Sequence, residues 1–268
     1  MTGSVGLNAQ ELTGCNLPRV ARLRLLAFFW AFAELLVSTA IILVPKQMTA
    51  QTTPSAIVVG FVGGFVHADD IRHGEVKMVE QLRATYGDRV HVELFRNREK
   101  TKAHESILRW LGSNSDGSLS GERHQMPIIL FGNSWGASIV ISLARELQTE
   151  GIPVLLTVQV DSIRRLVAND SIIPANVAEA VNYYQDHGML QGCKKITAED
   201  ESRTKILGNF HLQYSKEPAE SRQYPWYDRL LTKGHIEIDS DPLVWAEVRR
   251  LIQARLPSTS LASTSLGH

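Results

Sequence analysis

The sequence predicts an α/β fold, a mostly parallel sheet of about five or six strands with helices on both faces. Three observations predict it. Short apolar, β-branched runs alternate with segments of helical periodicity, the pattern of strands joined by helical crossovers. The chemistry-bearing residues Gly63-Gly64, Ser134 and Asp161 fall just after such runs, where parallel sheets collect function. The length of 268 residues has room for one domain with a sizeable core.

Ala56 to Gly60 reads as the first buried strand, and Phe61 to Phe65 as a glycine-rich loop after it. Val76, Val79, Leu82, Arg83 and Tyr86 recur at helical spacing and stop before Gly87-Asp88. Asp69 or Asp70 is placed to cap that helix. His91 to Phe95 is the second strand, Ser106 to Leu111 belongs to a second helix, and Ser113 to Gly121 is a polar loop. Met126 to Phe131 is a strand, followed by a helix with Val140, Leu143, Ala144 and Leu147 on one face. Pro153 to Val160 is the fourth strand and Ile206 to Tyr214 the fifth, with a mixed, partly helical stretch between them. Asp241-Pro242 is a cap followed by proline at the first helical position, opening a last helix with Val244, Val248, Leu251 and Ile252 inward. The expected organisation is a leader with a signal peptide or membrane anchor over 1–50, one α/β domain over 51–256 with an insert at about 163–205, and a disordered tail over 257–268.

Arg19, Arg22 and Arg24 precede the apolar run Leu25 to Val44, which fits either a cleaved export signal or an uncleaved membrane span. Both readings put the domain outside the cytoplasm, periplasmic or extracellular if the signal is cleaved, and the second adds membrane contact through residues 25–44. The net charge is zero and the charges are mixed in sign, so no nucleic-acid partner is expected. Cys15 and Cys193 form no disulfide framework or metal motif. Gly60-x-x-Gly63-Gly64 lacks the spacing of a dinucleotide fingerprint, and no phosphate-binding Gly-Lys-Ser/Thr is present. No cofactor or resident metal is expected. The strongest rival cluster is His67-Ala68-Asp69-Asp70-Ile71-Arg72-His73, whose histidines and aspartates are metal-ligand types at a spacing that matches no zinc motif.

Gly132-Asn133-Ser134-Trp135-Gly136 sits between a strand and a helix, the setting of a nucleophile elbow. On this motif, and on an acid and a histidine downstream, the chain resembles the α/β-hydrolase family over about residues 55 to 256. The resemblance implies a reduced, cutinase-like sheet and a serine–acid–histidine order. Ser134 is then the nucleophile and His235, in Lys233-Gly234-His235-Ile236-Glu237 before the last helix, the base. Asp161 is the acid that orients it, with Asp228 and Asp239 in reserve. Some lipases with an acid at this place have proline next, where this chain has Ser162. The oxyanion hole is expected from the backbone of Trp135 and of Phe61, with Val62 the neighbouring alternative. Val59-Gly60 stands where the family usually has His-Gly. Tyr183, Tyr184 and the aliphatic residues of Ile172 to Val177 are expected either to line an acyl pocket or simply to pack on the core.

The implied activity is that of an exported serine hydrolase acting on a small-molecule or lipid ester. A serine aminopeptidase of the same fold, or a non-catalytic membrane-anchored binding protein, are the alternatives.

Overall fold

The computed structural model describes residues 54–112, 126–164 and 169–257. The leader with its apolar run Leu25 to Val44, the loop Ser113 to Gly121 and the tail beyond Pro257 lie outside the described residues. Among the described residues, no helix is long and apolar enough to cross a membrane.

Six strands form one sheet: β1 (Ile57–Val62), β2 (His91–Arg96), β3 (Ile128–Asn133), β4 (Val154–Val160), β6 (Val177–Tyr184) and β8 (Lys205–His211). Their order is β2-β1-β3-β4-β6-β8, and every neighbouring pair is parallel. Two short strands, β5 (Ile172–Ile173) and β7 (Thr197–Ala198), pair apart from it. The chain runs outward from β1 to β2, then returns and proceeds the other way from β3. That reversal between β1 and β3 opens a crevice at the strands' C-terminal ends.

Helices cover both faces because the strand residues alternate between two cores. Val58, Ile129, Phe131 and Val158 pack against α1 (Gly74–Tyr86) through Val76, Val79 and Leu82, and against the last helix, α6 (Pro242–Gln253), through Val244, Val248 and Ile252. Ile57, Val59, Leu130 and Val154 face the other way, onto α2 (Lys100–Trp110) through Ala103 and Ile107 and onto α3 (Trp135–Thr149) through Val140, Leu143, Ala144 and Leu147. The Asp241 side chain accepts the Leu243 N–H at 2.8 Å, with Pro242 next in line, as the capping pattern predicts.

The stretch over 163–205 departs from expectation. Its described residues contain no helix, and they supply β6, a central strand of the main sheet. Tyr183 and Ile173 are buried and packed into the core, so they line no open acyl pocket. The strand expected at Ile206 to Tyr214 is β8, ending at His211; Tyr214 lies beyond it and donates to Asp241 Oδ2 at 3.0 Å. Helix α2 begins six residues before Ser106, at Lys100. Its first turns point charged side chains outward, where Lys100 pairs with Glu146 and His104 meets Glu150 at 2.9 Å.

Candidate active site

Ser134 stands on the turn from β3 into α3 with φ 55 and ψ −123, a left-handed conformation that a side chain rarely adopts. Its N–H bonds Val160 O at 2.9 Å, and its carbonyl accepts from Ile163 N at 3.2 Å. The two flanking glycines are required by close approach. A Cβ on Gly132 would lie 2.6 Å from the carbonyl of Gly136, and one on Gly136 would lie 2.2 Å from Phe61 O. Removing both Cβ atoms lets α3 start directly against β1, with the serine at the mouth of the crevice.

Asp161 is wholly buried, also carries a left-handed φ of 45, and ends β4 beside the elbow. Its Oδ2 accepts Nδ1–H of His235 at 2.6 Å. Gln185, at the end of β6, gives it two more donors, Nε2 to Oδ2 at 2.9 Å and the backbone N–H to Oδ1 at 3.3 Å. His235 lies in the first turn of α5 (Lys233–Ser240), whereas the sequence reading puts it in a loop. Burial alone would lower its basicity; the hydrogen bond and charge of Asp161 outweigh burial and raise its pKa above the ordinary histidine value. Among the described residues, the hydrogen bonds of His235 do not include one to Ser134.

The structure thus brings Asp161 and His235 into contact and sets Ser134 at the end of the neighbouring strand. Of the reserve acids, Asp228 lies on α4 (Trp226–Leu231), and Asp239 bonds His73. Phe61 lies inside β1, paired with both neighbouring strands, its ring against Phe95 in the core. The loop residue over the serine is Gly63, where a Cβ would stand 3.5 Å from Ser134 Oγ. Trp135 opens α3 directly after the serine, and its ring meets Phe65 edge-on at 5.7 Å.

Gln185 escaped the sequence reading because its strand did. Replacing it with leucine removes a charge-assisted hydrogen bond worth about 1.5–3 kcal/mol from Asp161. Turnover of Gln185→Leu should fall about ten- to a hundredfold in steady-state kinetics.

The rival cluster also resolves. Asp70 accepts from Arg72, at 2.5 Å for the closest pair, and this interaction brings its pKa down to about 2. It does not cap α1, whose N-cap is His73 without a side-chain cap bond. His73 Nδ1 instead reaches Asp239 Oδ2 at 2.8 Å, Tyr224 donates its hydroxyl to the same oxygen, and Asn133 Nδ2 donates to Asp239 Oδ1 at 2.5 Å. Glu75 is buried beside them, and burial together with the charge of Asp239 holds its pKa well above the carboxylate range. Asp239 is held below its usual value: burial would raise it, and the hydrogen bond and charge of His73 prevail.

No protein-family model matches the chain, and no curated protein matches it. Among solved structures it is similar to RedJ with a PEG molecule bound in the active site, at 12% identity over 72% of this chain and 93% of that one, with a TM-score of 0.37. It is also similar to the RedJ thioesterase from the prodiginine biosynthetic pathway in Streptomyces coelicolor, at 12% identity over 75% and 95% of the two chains and a TM-score of 0.33. A third is ClbQ from the colibactin NRPS/PKS pathway, at 10% identity over 75% and 98% and a TM-score of 0.34. With six parallel strands in the order β2-β1-β3-β4-β6-β8, and a serine held left-handed between two glycines where β3 turns into α3, the chain has the α/β-hydrolase fold.

Proposed function

We propose that the protein is an exported serine hydrolase that cleaves carboxylic esters or thioesters through an acyl-enzyme. The observation that carries this reading is the left-handed Ser134 at the switch-point crevice, on the strand next to a hydrogen-bonded Asp161–His235 pair. Ser134 Oγ attacks the substrate carbonyl carbon while His235 Nε2 takes its proton. The carbonyl π electrons move onto oxygen, which is held by the Trp135 N–H at the positive end of α3 and by a backbone N–H of the Gly63-Gly64 loop. Collapse expels the alcohol or thiol, which leaves with the proton from His235. Water then repeats the sequence, with His235 as base, and releases the acid. Asp161 keeps Nδ1 protonated and stabilises the imidazolium at each step.

An apolar acyl group fits the surroundings. Phe65 is 78% exposed beside Trp135, and Trp226, Tyr227 and Leu230 are exposed on the helix that precedes His235. The basic residues ahead of the Leu25 to Val44 run support export or anchoring.

Treating the full chain, kept in detergent, with a fluorophosphonate tests the reading. The expected adduct maps to Ser134 by peptide mass and disappears in Ser134→Ala and in His235→Ala. A folded protein that takes no label would overturn the mechanism and leave a binding protein on a hydrolase fold.

A further inference from the structure

Behind the elbow lies a second cluster that the hydrolytic mechanism does not use. His73, Glu75 and Asp239 each offer one ligand atom, and these atoms lie within 4.8 Å of one another. They come from two elements distant in sequence, the start of α1 and the end of α5. Glu75 is 0% exposed, and neither of its carboxyl oxygens has a hydrogen-bond partner. Asn133, already bonded to Asp239 through its amide nitrogen, has its own Oδ1 buried without a donor. Buried oxygens are normally satisfied, and leaving one bare costs about 1–3 kcal/mol. The two Glu75 oxygens lie beside a paired histidine and aspartate, where one positive centre would serve several ligand atoms at once.

We propose that His73, Glu75 and Asp239 form a binding site for one divalent transition-metal ion of the zinc type, with a neutral oxygen as fourth donor. One imidazole nitrogen and two carboxylates are a ligand set that Zn2+ accepts at about 2.0–2.2 Å in four-coordinate geometry. Ca2+ takes six to eight oxygens and Mg2+ keeps several waters, neither of which this compact site supplies. Binding requires the His73 nitrogen to exchange its bond with Asp239 for the ion, a change of partner within the same cluster. The bound ion would join the N-terminus of α1, the residue before the nucleophile and the helix that carries His235. The proposal concerns binding alone and stands or falls apart from the hydrolase reading.

The test uses the full chain in detergent, stripped with a chelator and dialysed. Zn2+ is titrated by calorimetry and by competition with a chromogenic chelator, and Co2+ by its visible absorption. One ion per chain, a higher Tm with Zn2+, and the intense band of low-coordinate Co2+ are expected. Glu75→Gln and His73→Asn should each weaken binding by at least about tenfold, by loss of a direct ligand. His211→Asn, at the exposed Asp186–His211 pair, should leave it unchanged. No binding at about 100 µM Zn2+, an affinity under about 5.5 kcal/mol, overturns the proposal. So does binding that survives both cluster variants. Should either variant fail to fold, the Co2+ spectrum and stoichiometry of the unaltered chain decide the matter.

Discussion

Asp161→Asn is expected to cut turnover by about 10⁴-fold while leaving the protein folded, because asparagine accepts the left-handed backbone at this site and fills the same space. What it loses is the carboxylate that receives Nδ1–H of His235 at 2.6 Å. An amide nitrogen turned toward the ring favours the wrong tautomer, with its lone pair on Nδ1. The pH profile separates this from a mere loss of stability. His235 must be neutral to take a proton, and Asp161 raises its pKa, so kcat/KM of the unaltered enzyme should climb through a midpoint above the ordinary histidine value of about 6.5. In Asp161→Asn the raising influence is gone and burial remains, so the midpoint should move to lower pH. The linked effect on folding has the opposite sense to activity. Protonated His235 stabilises the fold fully below about 6.5, and that contribution fades as pH rises through the higher folded value. An unchanged midpoint in the variant would remove Asp161 from its assigned role.

Gly136→Ala should be the most damaging single-methyl change in the described chain. Its Cβ would fall 2.2 Å from the backbone oxygen of Phe61 and 2.8 Å from that of Val62. Neither atom ends a flexible side chain, so β1 and α3 must separate. Overpacking of this kind costs about 3 kcal/mol or more, which for a domain of this size lowers Tm by about 6–12 °C. The displacement also pulls Ser134 away from the Gly63-Gly64 loop. Fluorophosphonate labelling should therefore fall even below the melting transition. Gly151→Ala is the contrasting control: nothing lies within 4 Å of its added methyl, and only the strain of φ 72 is charged to it. Equal Tm values for the two variants would refute the steric account of the elbow.

What the sequence disclosed, and what it withheld, follows from the distance over which each signal acts. The elbow was legible because its requirement is local: a strand, two missing Cβ atoms and a serine within five residues. Asp241-Pro242 was legible for the same reason. Strand β6 was hidden because it is covered on both faces, and Val-Ala-Glu-Ala-Val-Asn-Tyr-Tyr shows neither alternation nor an unbroken apolar run. Missing it hid Gln185, which has no motif and matters only because β6 lies beside β4. The start of α2 was obscured by lysines and a histidine whose partners, Glu146 and Glu150, lie on another helix. His73 was visible as a metal-ligand type, but its pairing spans 166 positions to Asp239, which no local motif announces. Phe61 lies inside the strand and not in the loop because β1 runs two residues further than its apolar core suggested, which starts the loop at Gly63.

Strand order has one more outcome, which concerns the making of the chain. The proposed nucleophile and acid terminate adjacent strands, β3 and β4, whereas the proposed base arrives on α5, after the whole sheet has been laid down. A chain still emerging from the ribosome, made from its N-terminal side, would carry Ser134 and Asp161 before it carries anything to draw off the serine proton. In the proposed mechanism chemical competence is thereby deferred to the closing steps of synthesis, since a chain cut short before Lys233 lacks both the base and the helix α6 that covers one face of the sheet.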